Sequence, residues 1–277
     1  MNADLLLLHA RQILTCAGPA PRRGAAQREV TALEDGSIAA FQGRLVHVGS
    51  SETVLSYASP TPAARIFDLE RRHSVVPGFV DAHTHAAFAG DRRTEVRRRL
   101  AGETYADIAA AGGGIVSTVE ATRHASEPDI LEATAARLDE MLACGTTTCE
   151  IKSGYGLSTA AELKMLRAIA TLARTHPVSI VPTFMGAHEV PFEYRPAREK
   201  YVSLVVDEMI PAVSREKLAE WCDVFCEEGV FTPEESTRIL EAGLAAGLRP
   251  RIHADELGAT GGSAVAAAIG ARSADHL

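Results

Sequence analysis

No stretch of the 277 residues approaches the ~18–20 consecutive apolar residues that a membrane-crossing helix requires. The longest candidate, residues 264–271, is short and mostly alanine. Basic charge is also in deficit: 28 Lys and Arg stand against 36 Asp and Glu, a formal net charge of −8. That balance argues against wholesale nucleic-acid binding and against a polybasic contact with a membrane surface. The N-terminus carries only a four-residue apolar run, Leu5 to Leu8, behind Asp4, so it lacks the basic and long apolar regions of a signal peptide. The five cysteines, Cys16, Cys144, Cys149, Cys222 and Cys226, are an odd and scattered set, unlike a disulfide framework. Cys222 and Cys226 would share one face of a strand about 13 Å apart, at ~3.3 Å per residue. With no second Cys or His pair beside them, they read as small buried hydrophobes. Disorder is excluded by an apolar content of 46% at small net charge per residue. The expectation is a soluble, cytoplasmic protein of one large domain, or a large domain with a small one.

What is present falls into two patterns. Residues 1–72 read as a small β domain of short apolar strands, at 5–8, 38–41 and 45–48, with Gln42-Gly43 as a hairpin turn. Residues 17–28 read as a loop and 59–64 (SPTPAA) as a linker. From residue 73 to 277, strands alternate with helices. The strands are expected at 74–80, 146–152, 179–184, 223–226, 249–254 and 272–276. Residues 129–144 carry apolar side chains at helical spacing and stop at Gly145. Thr159 with Glu162, and Thr232 with Glu235 behind Pro233, have the form of capping boxes. Repeated β–α units imply a parallel sheet covered by helices, and both a doubly wound sheet and a (β/α)8 barrel fit. A nucleotide fold would want GxGxxG after the first strand, and none is there. The run Gly112-Gly113-Gly114 follows a helical stretch and is a weak phosphate cradle.

The chemistry is concentrated in histidines at expected strand ends. In PGFVDAHTH (77–85), His83 and His85 sit at i and i+2, so both imidazoles point to one side and can meet one cation. His253, in RIHADE (251–256), ends another strand, and Glu256 follows in the loop, where a carboxylate could take a proton from an activated water. Asp275-His276 ends the next. Each alone is also what a surface strand, a core histidine or a solvated acidic pair would show. Three histidine-bearing strand ends in one chain are harder to assign to chance.

PGFVDAHTH resembles the first-strand motif of the amidohydrolase superfamily. The run from His83 to Arg92, AGGGIVSTV (111–119), EIKSGYGL (150–157), FMGAHEVP (184–191) and HADE (253–256) resemble one family within it, the imidazolonepropionases, from about Pro77 to Leu277. The resemblance implies hydrolysis of the cyclic amide of 4-imidazolone-5-propanoate to N-formimidoyl-L-glutamate, with one zinc or iron ion, in a homodimeric cytoplasmic enzyme of histidine breakdown. By motif it implies His83, His85 and His253 as metal ligands, Glu256 as the proton shuttle that also contacts substrate, and His276 as a hydrogen-bond partner of the metal-bound water or of the developing oxyanion. Arg92, Tyr155 and His188 would hold the substrate, the Arg92 guanidinium matching a propanoate carboxylate. It further implies a barrel present here only through its sixth strand, with a remaining metal ligand lying beyond Leu277. The chain is thus read as a C-terminally truncated form. Two other readings share these residues: a deaminase of another nitrogen heterocycle, and a non-catalytic metal- or partner-binding fragment.

Overall fold

The structure, a computed structural model, describes residues 1–104, 107 and 113–277. Ala111 and Gly112, which open the AGGGIVSTV stretch and the triple-glycine run, lie outside the described residues. Contacts divide the chain into two compact units, Met1–Gly78 and Phe79–Leu277.

In the first unit, β1 (Asn2–Leu14) is flanked by β2 (Ala32–Phe41) on one side and by β4 (Ser59–Asp68) on the other, with β3 (Arg44–Ser50) outside β2. The β2–β3 hairpin turns at Gln42-Gly43, whose φ values of 51° and 74° place both residues in the left-handed region that a tight primed turn requires. Helix α1 (Ser51–Tyr57) begins at Ser50, whose hydroxyl accepts from Thr53 N–H, and its Val54 packs on Ala3, Leu6 and Ala39. The expected linker 59–64 is part of β4, parallel to β1 with Ala3 opposite Pro60. Two prolines are tolerated there because β4 is an edge strand, where a missing N–H leaves no ladder bond unmade.

The expected strand 74–80 is interrupted. Ser74–Val75 form β5, paired with β1 in the first unit, while Phe79–Asp81 form β6, the first strand of the second. Pro77-Gly78 breaks the run between them, since proline donates no hydrogen bond to either neighbour. Strands β6, β7 (Thr146–Lys152), β8 (Ser179–Ala187), β9 (Trp221–Cys226), β10 (Arg249–Ala254) and β11 (Ser273–Asp275) are all parallel and lie in sequence order. A doubly wound sheet reverses its order part-way; this one does not, so the winding is that of a barrel. The sheet is also curled. A flat sheet would hold β6 and β10 about 19 Å apart at ~4.8 Å per strand. Here Arg251 on β10 donates to the carbonyl of Ala82, just past β6, at 2.8 Å.

Helices α2 (Arg93–Leu100), α3 (Ile115–His124), α4 (Glu127–Ala143), α5 (Thr159–Thr175), α6 (Arg198–Leu204), α7 (Ile210–Glu216), α8 (Pro233–Ala245) and α9 (Gly262–Ile269) fill the connections, with a π-helical turn at Val205–Met209. The core is built from sheet residues such as Ile151, Phe184, Val224 and Ile252, packed against helix residues such as Leu138, Met165, Ile169 and Leu240. Cys222 and Cys226 are fully buried members of it, as their small apolar character suggests. Thr232 and Glu235 exchange the two bonds of a capping box at α8. The expected box at Thr159 is not formed. Ser158, one residue earlier, caps α5, and Glu162 turns inward instead. No helix among the described residues is long and apolar enough to cross a membrane.

Candidate metal centre and its cavity

His83 and His85 lie just past the end of β6, on either side of a residue that faces the other way. Thr84 is docked on β7: its N–H donates to Glu150 Oε2 at 3.1 Å, its hydroxyl donates to the Glu150 carbonyl at 2.7 Å, and its own carbonyl accepts from Lys152 N–H at 3.2 Å. With Thr84 pinned, the two flanking imidazoles project together toward His253 of β10. Ring nitrogens of the three all lie within 4.8 Å of one another. His85 Nε2 and His253 Nε2 are 3.1 Å apart. Two imidazole nitrogens each ~2.0–2.1 Å from one tetrahedral ion would stand about 3.3 Å apart, so the spacing suits a shared cation. Nδ1 of His253 donates to Asp223 Oδ1 at 3.0 Å, which leaves its Nε2 lone pair bare toward the cluster. Burial and the neighbouring imidazoles of His188 and His253 push His85 well below the usual histidine range, so it too offers a lone pair near neutrality.

A cavity of about 440 Å³ opens over this cluster, lined by His83, His85 and His253, and by Arg92, Tyr155, His188, Glu256 and His276. Every residue singled out by motif therefore lines one space, although they follow five different strands. His188, just after β8, donates from Nδ1 to the Gly154 carbonyl at 2.9 Å and stacks on His85 with centroids 4.8 Å apart. Burial lowers its pKa to about 4. Tyr155, in the β7–α5 loop, meets the His188 ring edge-on at 5.1 Å, and burial raises its phenol, an effect that Arg92 partly offsets. His276 stands beyond β11 with its Nε2 3.8 Å from Glu256 Oε2 and its ring 4.9 Å from that of His83.

Two carboxylates, one of them (Glu162) completely buried, hold the loops in place. Glu162 accepts from the N–H groups of Gly154, Gly156 and Leu157 at 2.8–3.0 Å, so the segment carrying Tyr155 is folded around one side chain. Gly154 has φ 106°, and a Cβ there would meet the Met185 carbonyl at 2.9 Å and His188 Nδ1 at 3.0 Å, so only glycine fits. Asp255 plays a similar part after β10, accepting from the N–H groups of Thr260, Gly261, Gly262 and Ser263.

No family model matches the chain. Imidazolonepropionase of Symbiobacterium thermophilum is 54% identical over 275 residues, covering 99% of this chain and 64% of that protein. The Haloarcula marismortui imidazolonepropionase is 51% identical over 250 residues, covering 90% and 59%. The chain belongs to the imidazolonepropionase family. It spans about two thirds of the length of the curated relatives it matches. Among solved structures, E. coli guanine deaminase aligns with a TM-score of 0.54 at 14% identity, over 91% of this chain and 54% of that one. A variant atrazine chlorohydrolase of Arthrobacter aurescens, complexed with zinc, aligns with a TM-score of 0.54 at 15% identity, over 96% and 58%. At these identities the likeness is one of fold alone.

Within this family member the cavity also contains groups that motif reading did not single out. Arg99, Ile115, Glu189 and Phe225 line it, and burial raises the Glu189 carboxyl. Beneath it, Lys152 on β7 and Asp223 on β9 are completely buried and 2.8 Å apart. The sequence carries a signal for these two: a charged residue inside a parallel strand covered by helices is buried only with a partner. A larger groove of about 620 Å³ in the first unit, between Ile13, Leu33, Leu45 and Val75, has no titratable side chain and offers no comparable chemistry.

Proposed function

We propose that the chain carries the metal-binding and substrate-binding part of an imidazolonepropionase, an enzyme that hydrolyses 4-imidazolone-5-propanoate to N-formimidoyl-L-glutamate in histidine breakdown. The observation that supports this most is the convergence of all eight motif residues on one cavity, with three histidines aimed at a common point. His83, His85 and His253 would hold one zinc or iron ion; imidazole donors suit either. When bound, such an ion supplies Lewis-acid polarisation of the ring carbonyl and lowers the pKa of a water toward about 7.

The chain's own groups would do the rest. Glu256 takes the proton from the attacking water and delivers it to the departing ring nitrogen. His276, beside Glu256, donates a hydrogen bond to the oxygen on which negative charge develops. Arg92 pairs with the propanoate, and Tyr155 and His188 pack on the ring and fix its orientation. Small-molecule hydrolysis in the cytoplasm and assembly as a homodimer belong to the same proposal.

The test is to load the protein with zinc or iron, add 4-imidazolone-5-propanoate, and follow N-formimidoyl-L-glutamate by mass spectrometry. Its formation at the rate of an enzyme is expected. Turnover of a purine or pyrimidine, with none of the imidazolone, would overturn the reading in favour of a deaminase. Tight binding of one ion with no turnover of any of these would favour a non-catalytic fragment.

A further inference from the structure

The carboxylates that face the metal-binding histidines are themselves held by buried cations. Asp223 accepts from His253 Nδ1 through Oδ1 and stands 2.8 Å from the Lys152 ammonium through Oδ2. Lys152 is also 2.8 Å from Glu150 Oε1. That same oxygen lies 3.7 Å from Arg251 Nη1, and Arg251 Nη2 lies 3.3 Å from Asp275 Oδ2. Asp275 Oδ2 is 3.1 Å from Nδ1 of His83. The charges therefore alternate without a gap from His253, through Asp223, Lys152, Glu150, Arg251 and Asp275, to His83. They come from four strands, β7, β9, β10 and β11.

This arrangement is costly as architecture. Ionised groups removed from water lose solvation that their pairing only roughly returns, and apolar side chains of similar volume commonly serve stability as well. Three carboxylates against two cations leave the cluster one negative charge in excess, facing the three imidazoles. At His253 the chain of charges ends in a hydrogen bond to Nδ1, the geometry by which an outer carboxylate fixes a ligand's tautomer and ring orientation, and at His83 it ends in an ion-pair contact of 3.1 Å to Nδ1.

We propose that Lys152 is a positioning residue of the metal centre: it holds Asp223 against His253 Nδ1, so that His253 presents Nε2 with its lone pair free. Arg251 and Asp275 do the same for His83, and Glu150 ties the two halves together. The inference rests on the reading of His83, His85 and His253 as metal ligands.

Cobalt(II) titration of the full 277-residue chain, read by its visible absorption, tests it without reference to turnover. K152M and D223N should each weaken cobalt binding by about 10–100-fold and alter the ligand-field spectrum. The double variant K152M/D223N should bind no more weakly than D223N, because Lys152 acts through Asp223. K152R, which keeps the charge, should recover part of the loss. If K152M fails to fold, E150Q/K152M removes one charge of each sign and should still show the loss. Wild-type affinity in K152M or E150Q/K152M, or penalties for K152M and D223N that add, would overturn the inference. Failure of the wild-type chain to bind cobalt would overturn the metal reading and this inference with it, and is distinguishable from the previous result.

Discussion

Glu256 and Arg92 share a cavity with the histidine cluster but are given different tasks, and single substitutions separate them. E256Q keeps size and loses the proton acceptor, so metal content should stay intact while turnover falls by ~10²-fold or more. R92A should chiefly weaken substrate binding, seen as a raised KM with the metal still in place. Loss of the metal from R92A would remove its role as a carboxylate clamp. His188 has a pH signature of its own. Its pKa is lowered by burial to about 4, so between about 6.5 and 4 the unfolded chain binds a proton that the folded one refuses. Stability from this group is complete above about 6.5 and is lost as pH falls toward 4, by at most ~1.4 kcal/mol per pH unit. H188Q should flatten that part of the stability–pH curve in urea unfolding followed by circular dichroism; an unchanged slope would contradict it. At this scale the chemistry was readable because His83, His85, His253 and His276 stand at the ends of apolar runs. Lys152 and Asp223 do not stand out in the same way, because strand alternation alone does not say which charged side chain meets which.

The loop that carries Tyr155 is held by a carboxylate of the helix that follows it. Glu162 serves three N–H groups of the Tyr155 loop, and the segment is also tied by Arg123, which donates to the carbonyls of Gly156 and Leu157 at 2.7 and 2.9 Å. E162A would strand three buried donors, at a cost of about 3–5 kcal/mol in urea unfolding, while E162Q, keeping one acceptor oxygen, should cost less. Equal losses for the two would mean that packing, not hydrogen bonding, sets the role of Glu162. Sequence spacing assigned Glu162 to a capping box because Thr159 lies three residues before it. The helix is capped one residue earlier, by Ser158, and the carboxylate is then free to fold the loop. Where the pattern and the geometry coincide, as at Thr232 and Glu235, the box forms as spacing suggests. The 59–64 segment departs from expectation for a related reason: its prolines signal a linker, yet an edge strand accepts them.

For the barrel unit as a whole, β–α alternation was legible, but alternation is common to open sheets and barrels. Deciding between them needed strand order and curl, which arise from pairing between distant segments such as Arg251 and Ala82. The curled sheet brings strand ends from β6 and β11 close enough for His83 and Asp275 to meet. Its core is packed on completely buried side chains, of which Phe184 is among the largest. F184A should cost about 3–5 kcal/mol by urea unfolding.

The most direct test of the account is X-ray absorption at the metal edge of the zinc-loaded chain. The account predicts one ion per chain with three imidazole nitrogens at ~2.0–2.1 Å, and loss of that shell in the triple variant H83A/H85A/H253A. Sulfur ligands at ~2.3 Å, or full zinc retention in the triple variant, would contradict it.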